Sequence, residues 1–200
     1  MDIEYGINDL NNTSLWRLIQ ERINSDNLKW EDGIVGDDAK GNRLIQNETS
    51  RKSKIAWLHD KYLGKKLFNS VNSYNKQQWN YDLIGCDDLQ YGIYFDGGHY
   101  NWHRDIENNP LKIDDKILCR KLSMTIWLSD PHEYEGGELD IEVKGPVDER
   151  GNVRHVRYNT LKYPKGSILI FPSDKWHRVR PVTSGIRKSL VTWFRGPRFR

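Results

Sequence analysis

From residue 86 onward the chain is a succession of short β-type runs separated by turn residues, and this most constrains what it can fold into. The runs are "LQYGIYF", "KLSMTIWLS", "GGELDIEV", "HVRYNTLKY", "GSILIFP", "HRVRPV" and "RKSLVTWF". Seven runs within about 110 residues, with no helical crossover to carry a parallel connection, predict antiparallel strands in a sandwich or jelly roll. Before residue 85 helical signals prevail. Thr13 or Ser14 is placed to cap "LWRLIQERI", where Leu15, Leu18, Ile19 and Ile23 recur at helical spacing, and "SKIAWLHDKYLGKKLFNSVNSYNKQQW" reads as one or two more helices. The glycine-rich "WEDGIVGDDAKGNRLIQN" between them reads as hairpin or loop. The expected architecture is mainly β with α: a helical support region at 1–85 packed against a β core at 86–200, together one structural domain.

A chain of 200 residues with 36% hydrophobic and 30% charged residues is a soluble globular chain with enough apolar material for a core. Its 31 basic and 28 acidic residues, net +3, are too balanced to announce a nucleic-acid binder, and the basic end "RGPRFR" reads as solvated charge. The start, "MDIEYGINDL", lacks the apolar stretch of a signal peptide, and no apolar run approaches the ~18 residues that would span a bilayer. The expectation is a cytoplasmic protein without membrane contact, in which Cys86 and Cys119 stay free thiols.

In "HYNWHRD", His103 and Asp105 lie two residues apart, which in an extended chain puts them on one face. A third ligand is offered by His177 in "FPSDKWHRVRPV", 72 residues after Asp105 at the start of another β run. Two imidazoles and one carboxylate on one face of a metal leave positions open, an arrangement suited to non-haem Fe(II), although zinc would also accept these ligands. Arg187 in "GIRKSL" decides between them. It lies ten residues beyond His177, with Ser189 on the same strand face, and a guanidinium fork inside a barrel matches a carboxylate. Such a group is needed if the co-substrate is a dicarboxylate whose other end chelates the metal. Taken singly, each of these residues would be an ordinary core or surface residue; three spacings together in a β context argue for a site.

These residues resemble the 2-oxoglutarate- and Fe(II)-dependent dioxygenases of the prolyl 4-hydroxylase type, whose pattern Y-x-x-G-x-x-Y-x-x-H-x-D stands here as Tyr94, Gly97, Tyr100, His103 and Asp105. "SMTIWLSDPHEYEGGELDI" is similar to that family's strand and Gly-Gly turn, and "YPKGSILIFPSDKWHRVRPVTSGIRKSLVTW" to its second-histidine and arginine segment. The texture is most similar to the short bacterial and viral PKHD-type hydroxylases, and "RKSKIAWL" at 51–58 looks like the helical segment that precedes their barrel. The resemblance implies a double-stranded β-helix core. It implies Fe(II) on His103, Asp105 and His177, 2-oxoglutarate on Arg187 with Tyr94 lining its pocket, O2 as the second co-substrate, and ascorbate as a reductant. Where several relatives carry a tyrosine beside the arginine this chain has Trp127, leaving Ser189 or Thr125 to assist it. The implied reaction is hydroxylation of a C–H bond, of a prolyl residue in a protein or peptide substrate, coupled to decarboxylation of 2-oxoglutarate to succinate and CO2.

A nucleobase-demethylating oxygenase would share the triad, but such enzymes resemble R-x5-R after the second histidine, and six residues beyond Arg187 this chain has Trp193. A non-catalytic jelly-roll binding module would be betrayed by a lost ligand, and none is lost. Gly136 and Gly137 read as a turn needing positive φ, and His99, His132 and His155 as loop residues. The polar stretch Ile106–Lys121 reads as a loop able to close over a peptide, with Trp102 and Trp176 as an apolar wall for the pyrrolidine ring. The sequence carries no signal of oligomeric state.

Overall fold

The computed structural model describes residues 5–24, 28–33, 50–106, 111–113, 116–143 and 157–198. In chain order its elements are β1 (Gly6–Asp9), α1 (Ser14–Ile23), β2 (Trp30–Asp32), β3 (Arg51–Lys52), β4 (Lys54–Leu58), α2 (Lys61–Gln78), β5 (Gly85–Cys86), β6 (Leu89–Tyr94), β7 (His99–His103) and β8 (Leu111–Ile113). After them come β9 (Lys116–Trp127), a 3-10 turn at Pro131–Glu133, β10 (Tyr134–Gly136), β11 (Leu139–Val143), β12 (Arg157–Leu161), β13 (Ser167–Pro172), β14 (His177–Val179), β15 (Val182–Gly185) and β16 (Arg187–Pro197).

Among the described residues the strands form a large sheet ordered β1-β13-β9-β16-β6-β4-β2, with β5 on β16 and β8 on β9, and a small sheet ordered β12-β11-β14-β7-β3. A two-stranded ribbon, β10-β15, closes one end. The expected mainly-β jelly roll is what forms; the first helix is capped by Thr13, one of the two expected residues, and the second by Asp60. Thr13 accepts the N–H of Trp16 at 3.0 Å, and Asp60 accepts those of Tyr62 and Leu63 at 2.9 Å each.

Alternation along the long strands separates two cores. On one face of the large sheet Leu122, Met124 and Ile126 of β9, Leu190 and Phe194 of β16, and Leu89 and Tyr91 of β6 meet Leu63, Leu67 and Val71 of α2 and Ile19 of α1. On the other face Tyr94, Trp127, Leu169 and Phe171 point into the barrel, against Leu139, Ile141, Leu161 and Val179 from the small sheet. The intervening positions Ser123, Thr125, Arg187 and Ser189 share this inward face and are buried with it.

Two expectations fail. Residues 51–58 are strand, not helix: β4 is wedged between β6 and β2, with Ile55, Ala56 and Leu58 buried, and only Asp60 starts a helix. A five-residue strand with four apolar residues has no periodicity long enough to separate the two. The region before residue 85 therefore supplies strands to both sheets, β1 on β13 and β3 on β7 included. The expected loop Ile106–Lys121 is largely a hairpin, for β8 pairs with the start of β9 in the register Leu111↔Leu118. Its residues 107–110 and 114–115 lie outside the described residues, as do 34–49 of the glycine-rich segment and His155.

Candidate metal centre and co-substrate pocket

β7 and β14 are antiparallel neighbours in the small sheet, and their register places His103 directly opposite His177. A shift in that register gives β7 an extra residue between its paired positions, since Tyr100 pairs with Val179 while His103 pairs with His177. The bulge lets Tyr100 and His103, three apart, both turn inward. The two imidazoles lie 4.1 Å apart, centroid to centroid. Asp105, just past the end of β7, brings Oδ2 to 3.3 Å from Nε2 of His177 and Oδ1 to 3.7 Å from Nε2 of His103. One ligating atom from each residue lies within 4.8 Å of the others, and no further group of this kind occurs among the described residues.

The tautomers are set by the backbone. Nδ1 of His103 is 2.8 Å from the carbonyl of Asn101, and Nδ1 of His177 is 3.0 Å from that of Lys175. A carbonyl only accepts, so each Nδ1 carries a proton and Nε2 is the atom that each ring turns toward Asp105. Tyr100 stacks on His103 with centroids 3.5 Å apart and 15° between planes, Arg51 lies 4.6 Å from the Tyr100 centroid, and Phe171 meets His177 edge-on at 4.8 Å.

Electrostatics agree with a cation site. Burial opposes ionisation of Asp105, yet His177 and then His103 outweigh it and hold the carboxyl well below the ordinary range. Burial first, then the proximity of His177, pushes His103 down to about 3. Burial lowers His177 too, but the charge of Asp105 outweighs it and leaves its pKa raised. The cluster thus sets an acidified carboxyl between two imidazoles, and a dication would compete with protons for these three ligands.

Arg187 is 1% exposed at the start of β16, opposite Tyr94 of β6. Its Nη1 donates to Ser189 Oγ at 3.1 Å, and its guanidinium carbon lies 5.1 Å from the Tyr94 centroid. Ser189 in turn stands opposite Trp127 of β9, so these four expected residues share one inward patch. Among the described residues three buried polar groups here have no hydrogen-bond partner: Arg187 Nε, the Trp127 indole N–H and the Tyr134 hydroxyl. Burial raises the pKa of Tyr134, while the nearby Arg187 acts in the opposite sense. Orphaned buried donors cost free energy unless something accepts from them. An acceptor-rich anion is the chemistry that would satisfy all three, so the patch fits a carboxylate. Gly137, at φ +64°, presses on it, and an added Cβ would come within 3.0 Å of Arg187 Cδ.

Tyr134, Ser123, Ser173 and Arg51 at this site were missed from sequence. Tyr134 does precede the Gly-Gly turn, which was a usable signal; Arg51 and the serines carry none. Of the expected assistants, Thr125 is inward-facing and buried. The apolar wall fails at Trp102, which faces away from His103. It packs on Tyr158 at 5.6 Å and under Arg178 at 4.9 Å on the outside of the small sheet. Trp176 is 43% exposed, with Arg104 5.0 Å from its ring. His99 sits in β7 with Nδ1 2.9 Å from the Gly97 carbonyl, and His132 is exposed in the 3-10 turn.

The chain is similar in sequence and in fold to known proteins. The profile of the 2OG-Fe(II) oxygenase superfamily matches residues 89–195. A PKHD-type hydroxylase of Hyphomonas neptunium is 32% identical over 174 residues, covering 83% of this chain and 67% of that protein. The chain spans a smaller share of other PKHD-type hydroxylases, 41% for that of Pseudoalteromonas atlantica. In fold it is similar to a Pseudomonas putida prolyl-4-hydroxylase, with TM-score 0.60 and 19% identity over 98% of this chain and 94% of that one. It is also similar to a prolyl hydroxylase from Trichoplax adhaerens in complex with a hypoxia inducible factor peptide fragment. That match has TM-score 0.57 and 20% identity, covering 96% of this chain and 83% of the other.

Proposed function

The chain belongs to the 2OG-Fe(II) oxygenase superfamily and is related to its PKHD-type hydroxylases, and from that premise we propose that it hydroxylates a prolyl residue of a peptide or protein. His103, Asp105 and His177 hold Fe(II), and Arg187 receives the distal carboxylate of 2-oxoglutarate. Bound iron and 2-oxoglutarate supply, with O2, an oxidant able to attack an aliphatic C–H bond, releasing succinate and CO2.

The chain's own residues do the rest by position. The two Nδ1 anchors fix the imidazole rings before metal arrives. Arg187, aligned by Ser189 and covered by Tyr94, offers a fixed fork in a dry pocket, and Trp127 and Tyr134 add donors on the same patch. The observation that carries the reading is this pairing: three candidate ligands gathered within 4.8 Å, and in the same barrel a buried arginine whose Nε has no hydrogen-bond partner among the described residues.

The substrate rests on thinner support: the prolyl hydroxylases of the same fold, one of which holds a peptide. Ascorbate belongs to the proposal as the reductant that rescues oxidised iron. The test incubates the Fe(II)-loaded protein with 2-oxoglutarate and a panel of proline-containing peptides, following succinate and a gain of one oxygen by mass spectrometry. A peptide should raise succinate formation well above the uncoupled rate, and His177→Ala should reduce it to background. Arg187→Ala should weaken 2-oxoglutarate binding by about 2–5 kcal/mol, with lysine restoring only part because a point charge cannot form the fork. Stimulation by methylated oligonucleotides and by no peptide would overturn the prolyl assignment and leave the iron chemistry standing.

A further inference from the structure

Asp105 is held by more than its place in the chain. Ser123 of β9 donates its hydroxyl to Asp105 Oδ2 at 2.7 Å, and Ser123 Oγ is 2.9 Å from Ser173 Oγ. Both serines are 1% exposed. A metal-bound carboxylate only accepts hydrogen bonds, and a serine has one proton to give. The proton of Ser123 therefore goes to Asp105, and Ser173 must donate to Ser123. The relay has one possible direction.

Ser173 also grips the other side of the aspartate. Its carbonyl accepts the backbone N–H groups of Asp105 and Ile106, both at 2.9 Å, and its own N–H donates to the carbonyl of Lys121 at 3.0 Å. It lies between β13 and β14, four residues before His177. One residue thus ties together the strand that carries Ser123, the main chain of Asp105 and the segment that leads into His177.

We propose, resting on the reading of Asp105 as an iron ligand, that Ser123 is a positioning residue for that carboxylate and that Ser173 acts through it. The hydroxyl fixes the rotation of the carboxylate and occupies one lone pair of Oδ2. An aspartate free to turn can grip a cation with both oxygens and fill a position that a co-substrate needs. Two hydroxyls at this distance could also do no more than satisfy each other in a buried place, so the test needs readouts on which the two roles differ.

The experiment measures Co(II) affinity and the Co(II) absorption spectrum of the full chain, beside its metal-free thermal unfolding. Ser123→Ala should lower Co(II) affinity about 10- to 100-fold and alter the spectrum, and Ser123→Thr, which keeps the hydroxyl, should restore both. Ser173→Ala should cost several-fold, and combined with Ser123→Ala it should add almost nothing, since the two act as one unit. Wild-type affinity and spectrum in Ser123→Ala would overturn the proposal. Should that variant fail to fold, wild-type affinity in Ser173→Ala would do the same. Asp105→Ala separates the two levels: if it too binds Co(II) as the wild type does, the iron-site reading itself falls.

Discussion

The large sheet and the small sheet are built from the same kind of antiparallel strand, yet they spend their faces differently. The large sheet carries both helices on one face, and what it buries there is almost wholly apolar, from Leu122 and Ile126 to Leu190 and Phe194. The small sheet has no helix over it among the described residues. It turns His103 and His177 inward, while Trp102, Tyr158 and Arg178 remain on its outer side, around the fully buried Asp140. A sheet covered on both sides can supply rigidity through apolar area alone. The division puts the helix-packed apolar core on one face of the large sheet and the candidate metal ligands at the small sheet, while Arg187 and Ser123 reach the barrel from the large sheet's other face, so core and ligands can be perturbed separately.

The largest effect should come from the large sheet. Phe194 is fully buried, with Phe68 of α2 6.3 Å away, centroid to centroid. Phe194→Ala should cost about 3–5 kcal/mol of folding stability, read from urea unfolding. Metal affinity measured well below the melting transition should stay within a factor of about three, the spread expected of distant, independent sites. If metal affinity instead falls in step with stability, the two sheets behave as one unit and the division above is wrong.

How far the sequence foretold this follows the same line. The candidate ligands, which the fold brings together, were legible because metal binding needs particular residue types: H-x-D fixes its own spacing, and Arg187 follows His177 on a β run. The long strands of the large sheet were legible through alternation, as in "KLSMTIWLS". Short edge elements were not. β4 reads as a helix because "KIAWL" gives five residues and no period, and β8 hides within a polar stretch because three residues carry no pattern. Ser123 and Ser173 gave no signal, since a serine bonded to a carboxylate is the same letter as one facing water. Trp102 was misplaced because facing depends on the strand's bulge as well as on its neighbour His103.

An intermediate effect is expected on the outer side of the small sheet. Asp140 accepts from Arg178 at 2.7 Å, Arg180 at 2.9 Å and Thr160 at 2.7 Å. Burial opposes its ionisation, but these three donors, Arg180 foremost, outweigh it and lower its pKa. A carboxyl with a depressed folded-state pKa contributes stability above its unfolded value, near 3.9, and loses it as pH falls through the folded-state value. Asp140→Asn should therefore cost about 1–3 kcal/mol at pH 7, with the gap from wild type narrowing as the pH is taken below about 3.9. Urea unfolding at several pH values checks this. A gap that does not narrow would mean that the asparagine loses packing and not charge.

The smallest effect is the sharpest test of which face does what. Trp102 stands next to His103 in sequence, and a role in gripping substrate follows if that nearness holds in space. In the fold it does not: Trp102 is 37% exposed on the outer side, in contact with Tyr158 edge-to-face and with Arg178 across its ring. An exposed cation–π contact is worth about 0.5–1 kcal/mol and an aromatic pair a similar amount, and water compensates part of each. Trp102→Ala should therefore shift stability by no more than about 1 kcal/mol and leave Co(II) and 2-oxoglutarate affinities unchanged. The peptide KM decides the remainder. If it too is unchanged, peptide enters on the inward side, past Arg104 and Trp176, and the outer side is framework. If Trp102→Ala raises the peptide KM several-fold while both affinities hold, the substrate wraps the rim of the small sheet, and its outer face belongs to the working part of the molecule after all.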